Sequence, residues 1–366
     1  MSNDAKSVSG SYEAGLAGAA ETVAEFHEPE SLLKKLQHWL HQTPSAVPMI
    51  VLVVALVVFG LLASNFFKAA TLSTILQQIA IVSILGCAQT IVVLTTGIDL
   101  SIGAIAVFSS VLMGQMTFRY GLPAELSIVI GLILGTAMGA LNGVLIARLK
   151  LPPFIVTLGT WQILLASNFI YSANETIRSS DIEAQAPALQ LWGKDVVFFA
   201  DAAVKNSGVK VLYAVFLMIL LVAIMAYVLR HTAWGRHVYA TGDDPGAAEL
   251  AGVPTKKVLI QVYALAGLFC AIAGWVMIGR FGSVSPTAST GQLGNIQSIT
   301  AVVIGGISLF GGRGSIVGMF FGALIVGVFE MGLRLVGTDP QWTFFLIGVL
   351  IIFAVAVDQW IRKVAG

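Results

Sequence analysis

The chain has 366 residues, of which 57% are hydrophobic and only 11% charged. A soluble domain carries about 25% charged residues, so this composition excludes an ordinary water-soluble globule and predicts an all-α polytopic membrane protein. The net charge of +1 identifies no partner by itself, and no nucleic-acid contact is expected.

The 38 glycines fit close-packed membrane helices. Cys87 and Cys270 both fall in apolar stretches and read as buried free thiols rather than a disulfide or a metal pair. Residues 1–30 are polar, acidic and small, with no apolar stretch of the kind a cleavable signal needs, and read as a tail without packed structure. Residues 31–42 set Leu32, Leu33, Leu36, Trp39 and Leu40 on one side of a short helix. That helix either lies on the membrane surface or is a solvated lead-in. Residues 1–44 are therefore expected to form a cytoplasmic tail with an interfacial helix, and 45–363 a single transmembrane domain.

A spanning helix needs about 20 apolar residues. About ten such segments are expected, at 47–66, 74–96, 100–118, 124–147, 153–172, 211–230, 258–279, 295–311, 315–336 and 342–360. Orientation follows Lys and Arg in the flanks. With the N-terminus in the cytoplasm, the inner flanks hold Lys6, Lys34, Lys35, Arg148, Lys150, Arg230, Arg236, Lys256, Lys257, Arg313, Arg362 and Lys363. The outer flanks hold Lys68, Arg119, Arg280 and Arg334, plus Arg178, Lys194, Lys205 and Lys210 in one long loop, 173–210. Long loops weigh less in this count, so both termini are expected to be cytoplasmic and the 173–210 loop periplasmic.

The fourth span carries Gly131, Gly135, Gly139, Gly143 and Ala147 at intervals of four, and Gly318 and Gly322 repeat the interval in the ninth. Such stripes predict close helix–helix contact. Residues 92–103 are echoed by 302–316: each joins two apolar runs through a Gly-rich break, by internal repetition or by similar turn chemistry.

The polar run 230–257 contains a short helix with both ends marked. Asp243 and Asp244 suit the N-cap, Pro245 the first helical position, and Gly252 the residue past the end. Ala247, Ala248 and Ala251 are expected to share one face that lets another backbone come close. So short a helix is marginal alone and needs its flanks or a partner.

No nucleotide motif is present: Arg313 follows Gly312 where a phosphate-binding loop needs Lys, and no GxGxxG opens a helix. The five histidines, His27, His38, His41, His231 and His237, lie outside the spans, and there is no HExxH. No catalytic or metal-binding residues are expected. Polar groups inside the spans are few and costly. Gln89, Asp99, Asn142, Gln162, Asn168, Gln297 and Glu330 are the candidates for a translocation path. The amides either meet a hydroxyl-rich solute or bond between helices, Asp99 either caps the third span or gates, and Glu330 either faces water or snorkels outward. No row of acidic residues forms an ion relay, so the driving energy is expected from another chain.

Four segments carry a family resemblance: TTGIDLSIGAIAV (95–107), NGVLIARLKLPPFIVTLGT (142–160), TAWGRHVYATGDDPGAAELAGV (232–253) and TAVVIGGISLFGGRGSIVG (300–318). In this order they resemble the permease subunits of bacterial ABC sugar importers of the ribose, xylose and fructose type. LPPFIVTLGTW, ETIRSSDI and GTDPQWTF are closest to the fructose-type members. The resemblance covers about residues 45–363. It implies an inner-membrane permease that pairs with a second copy, docks two cytoplasmic ATPase subunits that hold the ATP and Mg, and receives a monosaccharide from a periplasmic binding protein. It also implies that Asp243, Asp244, Pro245, Gly246, Ala247, Ala248, Glu249, Ala251 and Gly252 form the ATPase-docking coupling helix. There the family pattern EAA-x-x-x-G is matched from Gly246 to Gly252, with Gly246 in place of the Glu. Glu249 and Asp243 are then the acidic candidates for the ATPase. An ABC permease for amino acids or nucleosides is the nearest alternative, and an ion-coupled carrier the next.

Overall fold

The structure, a computed structural model, describes residues 46–199 and 208–362. The 1–44 tail with its interfacial helix lies outside the described residues. Ten helices follow the ten expected segments: α1 (Ala46–Leu62), α2 (Ala69–Leu94), α3 (Ile102–Phe118), α4 (Ala124–Leu149), α5 (Pro153–Ser172), α7 (Tyr213–His231), α10 (Thr255–Phe281), α11 (Ala288–Ile304), α12 (Ile316–Val336) and α13 (Pro340–Arg362). Between α7 and α10 lie α8 (Ala233–Asp243) and α9 (Pro245–Leu250). Six of the helices are long and apolar enough to cross a membrane, and α1, α3 and part of α13 are shorter apolar helices.

One expectation is corrected. The eighth span, 295–311, lies seven residues earlier, at Ala288–Ile304. Gly305 and Gly306 stop the helix, Gly306 at a φ of 75° that a side chain disfavours. At its start, Gly291 packs against the Gly103 backbone and makes the polar residues 288–294 helical by contact.

The core forms where small residues let backbones meet. α2 and α10 are buried along most of their length because each carries apolar or small residues all round. The α4 glycine stripe packs on α10: a methyl on Gly135 would meet Ala271, one on Gly139 the Gly267 backbone, and one on Gly143 the Ile260 backbone. Gly318 and Gly322 of α12 face the backbones of Gly305 and Ala301 in the same way. The expected packing role of both stripes is what the fold uses.

The loop 173–210 is built rather than loose. It holds the short helix α6 (Ser179–Gln185), a 3-10 turn (Pro187–Gly193) and the strand β1 (Asp195–Phe198), which pairs antiparallel with β2 (Val209–Leu212) in the register Asp195 to Leu212. Trp275 of α10 donates its indole N–H to the Ala188 carbonyl at 3.2 Å and meets Trp192 edge-on. These contacts seat the 3-10 turn on α10, and the Lys210 N–H, donating to the Ser73 hydroxyl at 2.8 Å, ties the hairpin to α2 at the same end of the bundle. The α8–α9 segment lies at the other end, where α7 and α10 are joined.

Candidate functional site

At the end of the bundle opposite the hairpin, local sequence fixes a short rigid insert. Thr232 caps α8, its hydroxyl accepting from the Gly235 N–H at 3.1 Å. Asp244 caps α9, its carboxylate accepting from the N–H groups of Gly246 at 2.9 Å and Ala247 at 3.0 Å. Asp243 is the last residue of α8 and caps nothing, which narrows the sequence expectation to Asp244. Pro245 begins α9, and Gly252 ends the segment at a φ of 85°. The Thr255 hydroxyl donates to Glu249 at 2.5 Å and ties the segment to the start of α10.

The expected three-alanine face is corrected. Ala248 is buried within its own chain, while Ala247 and Ala251 are exposed. Two positions four apart share a face and the third is rotated about 100° away. The residue that protrudes is one the sequence reading passed over. Leu250 is 93% exposed, an apolar side chain at the polar end of the bundle. The available signal was a lone leucine inside a polar run.

Beneath this insert three backbones meet. The Gly312 N–H donates to the Leu94 carbonyl at 3.0 Å. A methyl on Gly242 would collide with that carbonyl and lie 2.8 Å from Gly312 N. A methyl on Gly311 would lie 2.6 Å from the Gly242 carbonyl, and one on Gly312 within 3.0 Å of Asp243. The Tyr239 hydroxyl donates to the Gly314 carbonyl at 2.8 Å. The end of α8 is therefore clamped between the break that follows α2 and the break that follows α11.

Those two breaks close alike. The Gly97 N–H returns to the Val92 carbonyl at 3.1 Å, and the Ile307 N–H to the Val302 carbonyl at 3.2 Å. The position before each, Thr96 or Gly306, has a positive φ, 62° or 75°. The two echoing stretches share a helix-terminating geometry. Thr96 is β-branched, so its left-handed backbone is a strained position.

The seven polar path candidates do not gather in one place. Asp99 and Asn142 meet in a buried knot. Asp99 accepts from the N–H and the hydroxyl of Ser101, at 2.7 and 2.6 Å. Asn142 donates to the Ser101 hydroxyl at 3.0 Å and accepts from Thr160 at 2.6 Å. Asn295, which the sequence reading missed, accepts from the Gly103 N–H at 2.5 Å and donates to the Leu100 carbonyl. Asp99 closes the turn before α3, whose N-cap position is Ser101.

Gln297 and Glu330 meet in a second cluster. Gln297 donates to Glu330 at 3.0 Å, Gln78 of α2 donates to the same oxygen, and Arg334 lies 3.5 Å from the other. The cluster borders a cavity of about 380 Å³ between α11, α12 and α13, lined also by Thr300, Thr343 and Phe344. Gln89 is fully buried with no partner for either end of its amide, and the Asn168 carbonyl oxygen is likewise unpartnered. Gln162 is exposed on α5. On the hairpin side, hydroxyls of Ser110, Thr176, Ser283, Ser285, Thr287 and Thr290 line a cavity of about 290 Å³. Its sequence signal was the Ser/Thr run after α10. Among the described residues no three His, Cys, Asp or Glu side chains come together to hold a metal ion.

Residues 71–355 match the family described as branched-chain amino acid transport system, permease component. The chain is 62% identical over 366 residues to the fructose import permease protein of Rhizobium meliloti, covering 100% of this chain and 99% of the relative. The chain belongs to the permease family of ABC sugar importers. The permease is also 33% identical to the ribose import permease of Escherichia coli over 88% of its own length and 94% of the relative. To the galactose/methyl galactoside import permease of the same organism it is 32% identical, over 85% of its own length and 92% of the relative. No solved structure matches. The permease is a multi-pass inner-membrane protein, and its fold is mostly helical.

Proposed function

We propose that the permease imports a monosaccharide by ATP-driven alternating access, with fructose as the leading substrate. The observation that carries the substrate reading is the 62% identity, end to end, with a fructose import permease, against about a third for the ribose and galactose permeases. In this reading ten helices span the membrane and both termini are cytoplasmic, as the Lys and Arg distribution favours. The α8–α9 end then faces the cytoplasm and the hairpin end the periplasm.

Two copies of the permease form the membrane unit, and two ATPase subunits dock beneath it on α9, holding the ATP and Mg. Leu250 is the apolar knob that enters the ATPase surface, with Asp243 and Glu249 beside it. A periplasmic binding protein delivers the sugar to the hairpin side, near the hydroxyl-lined cavity. ATP binding draws the ATPases together, and α9 hands that motion through the end of α8 to the breaks after α2 and α11. Gln297 and Glu330, beside their cavity, are the path residues this arrangement favours. Asn142 and Asp99 serve instead to brace a break. A cavity of several hundred Å³ with a few placed polar groups is the usual form of a small-molecule site.

The test is uptake into proteoliposomes holding the permease, its ATPase and its binding protein, with labelled fructose, ribose, galactose and leucine. Fructose uptake that needs ATP and all three components is the expected result. Leucine uptake would favour the substrate in the matching family's description. Uptake by the permease alone, without ATPase, would sink the coupled mechanism.

A further inference from the structure

In their middle thirds, among the described residues, the exposed flanks of the spanning helices are apolar with one exception. α1 exposes Val53, Val57 and Leu61, α4 exposes Ile133 and Leu141, and α7 exposes Ile219 and Ile224. These faces suit lipid. On α5 the exposed line runs Ile155, Gly159, Gln162, Ala166 and Ile170. Gln162 is the tenth residue of a 20-residue helix. It lies about 15 Å from either end, too deep for a short amide to reach the interface. Among the described residues it is the amide left exposed in the middle third of a spanning helix, and it bonds to none of them. A primary amide turned to hydrocarbon is unfavourable, whereas between helices it finds a partner.

Gly159, one turn away, points to the same occupant. A side chain there would meet no atom of its own chain within 4 Å. Every glycine of the α4 stripe, by contrast, has an atom of its own chain within that distance. Gly in a helix interior is less favourable than Ala. Nothing in the protomer uses the space Gly159 leaves. Gly159 and Ala166 bracket Gln162 with small surfaces that admit a second helix closely.

We propose that this α5 stripe is the face the permease turns to a second copy of itself, with Gln162 near the two-fold axis. A two-fold contact is self-complementary, so an amide near the axis meets its own symmetry mate, and donor and acceptor are supplied by the same residue type. The proposal rests on the reading of the permease as a paired membrane unit and adds which surface makes the pair.

Cysteine cross-linking tests it in membranes of cells making the whole importer. The native thiols, Cys87 and Cys270, are fully buried, which keeps their background low. Gln162→Cys, Ile133→Cys on α4 and Ile224→Cys on α7 are each treated with a short bifunctional maleimide. A cross-linked dimer is expected for Q162C and not for the other two. Linking at Ile133 or Ile224 as readily as at Gln162, or none at Gln162, overturns the proposal. Gly159→Leu is the second variant, since its side chain has room in the protomer. It is expected to keep the protomer folded and to lower the dimer fraction several-fold at fixed lipid-to-protein ratio, and Gln162→Leu to lower it about 3- to 10-fold. An unchanged dimer fraction in both overturns the proposal. Labelled sugar uptake by the same cells separates the two levels: ATP-dependent uptake with no α5 linking retains the importer reading and rejects this face.

Discussion

Gly242→Ala isolates the joint between the α8–α9 insert, the proposed docking element, and the membrane helices. Position 242 is the penultimate residue of α8, and its neighbours are backbone atoms. A methyl there collides with the Leu94 carbonyl and lies 2.8 Å from Gly312 N. Backbone cannot step aside as a side-chain tip can, so α8 must move off both breaks. Forcing a methylene-sized group into a packed contact costs about 1–3 kcal/mol. The displaced Gly312-to-Leu94 hydrogen bond adds about 1 kcal/mol. Against this, Ala in a helix gains up to about 1 kcal/mol over Gly. The net loss, about 1–3 kcal/mol, falls on one joint of a large membrane protein and leaves it folded. The expected result is an ATPase that still docks and turns over, with fewer sugar molecules delivered per ATP. The assay is paired ATP hydrolysis and labelled uptake in proteoliposomes. Gly246→Ala is the control, because a methyl there meets only a carboxylate oxygen of Asp244 at 3.3 Å. A wild-type ratio of sugar to ATP in G242A would refute the reasoning.

Three further outcomes are expected. Leu250→Asp should abolish co-purification of the ATPase while the thermal transition of the permease in detergent stays put, since Leu250 touches little of its own chain; retained co-purification would remove Leu250 from the docking surface. Asn142→Ala removes the acceptor of the Thr160 hydroxyl and one of the two bonds on the Ser101 hydroxyl, and should lower stability by about 1–3 kcal/mol, read as a drop in the thermal transition. Glu330→Gln removes the ion pair with the largely exposed Arg334 and should change stability by less than about 1 kcal/mol, yet reduce uptake; unchanged uptake would take Glu330 out of the path.

The helical order was legible because hydropathy over about 20 residues is a strong signal, and the capped ends of α9 were legible because Asp, Pro and Gly each act through local geometry. Gly252 takes the positive φ its position required. What escaped the sequence depends on contact between distant segments. The start of α11 is polar and becomes helical by lying on α3, so hydropathy placed that span too late. Ala248 and Ala247 are alike in sequence, and only the tertiary fold buries one and exposes the other. Asn295 joins the Asp99 knot from 192 residues away, a distance no local pattern spans. Gln162 and Gln89 read alike as intramembrane amides, yet one is turned outward and the other inward.

The paired breaks have a consequence for timing. Leu94 and Gly312 are joined by a backbone hydrogen bond, and both press on Gly242. Backbone contacts have no rotamers through which one neighbour could yield while the other held. In the proposed mechanism a push on α8 would reach α3 and α12 in step, although they lie in opposite halves of the chain. Each protomer would then act as a single throw of a lever, without a resting point at which one break has shifted and its counterpart has not.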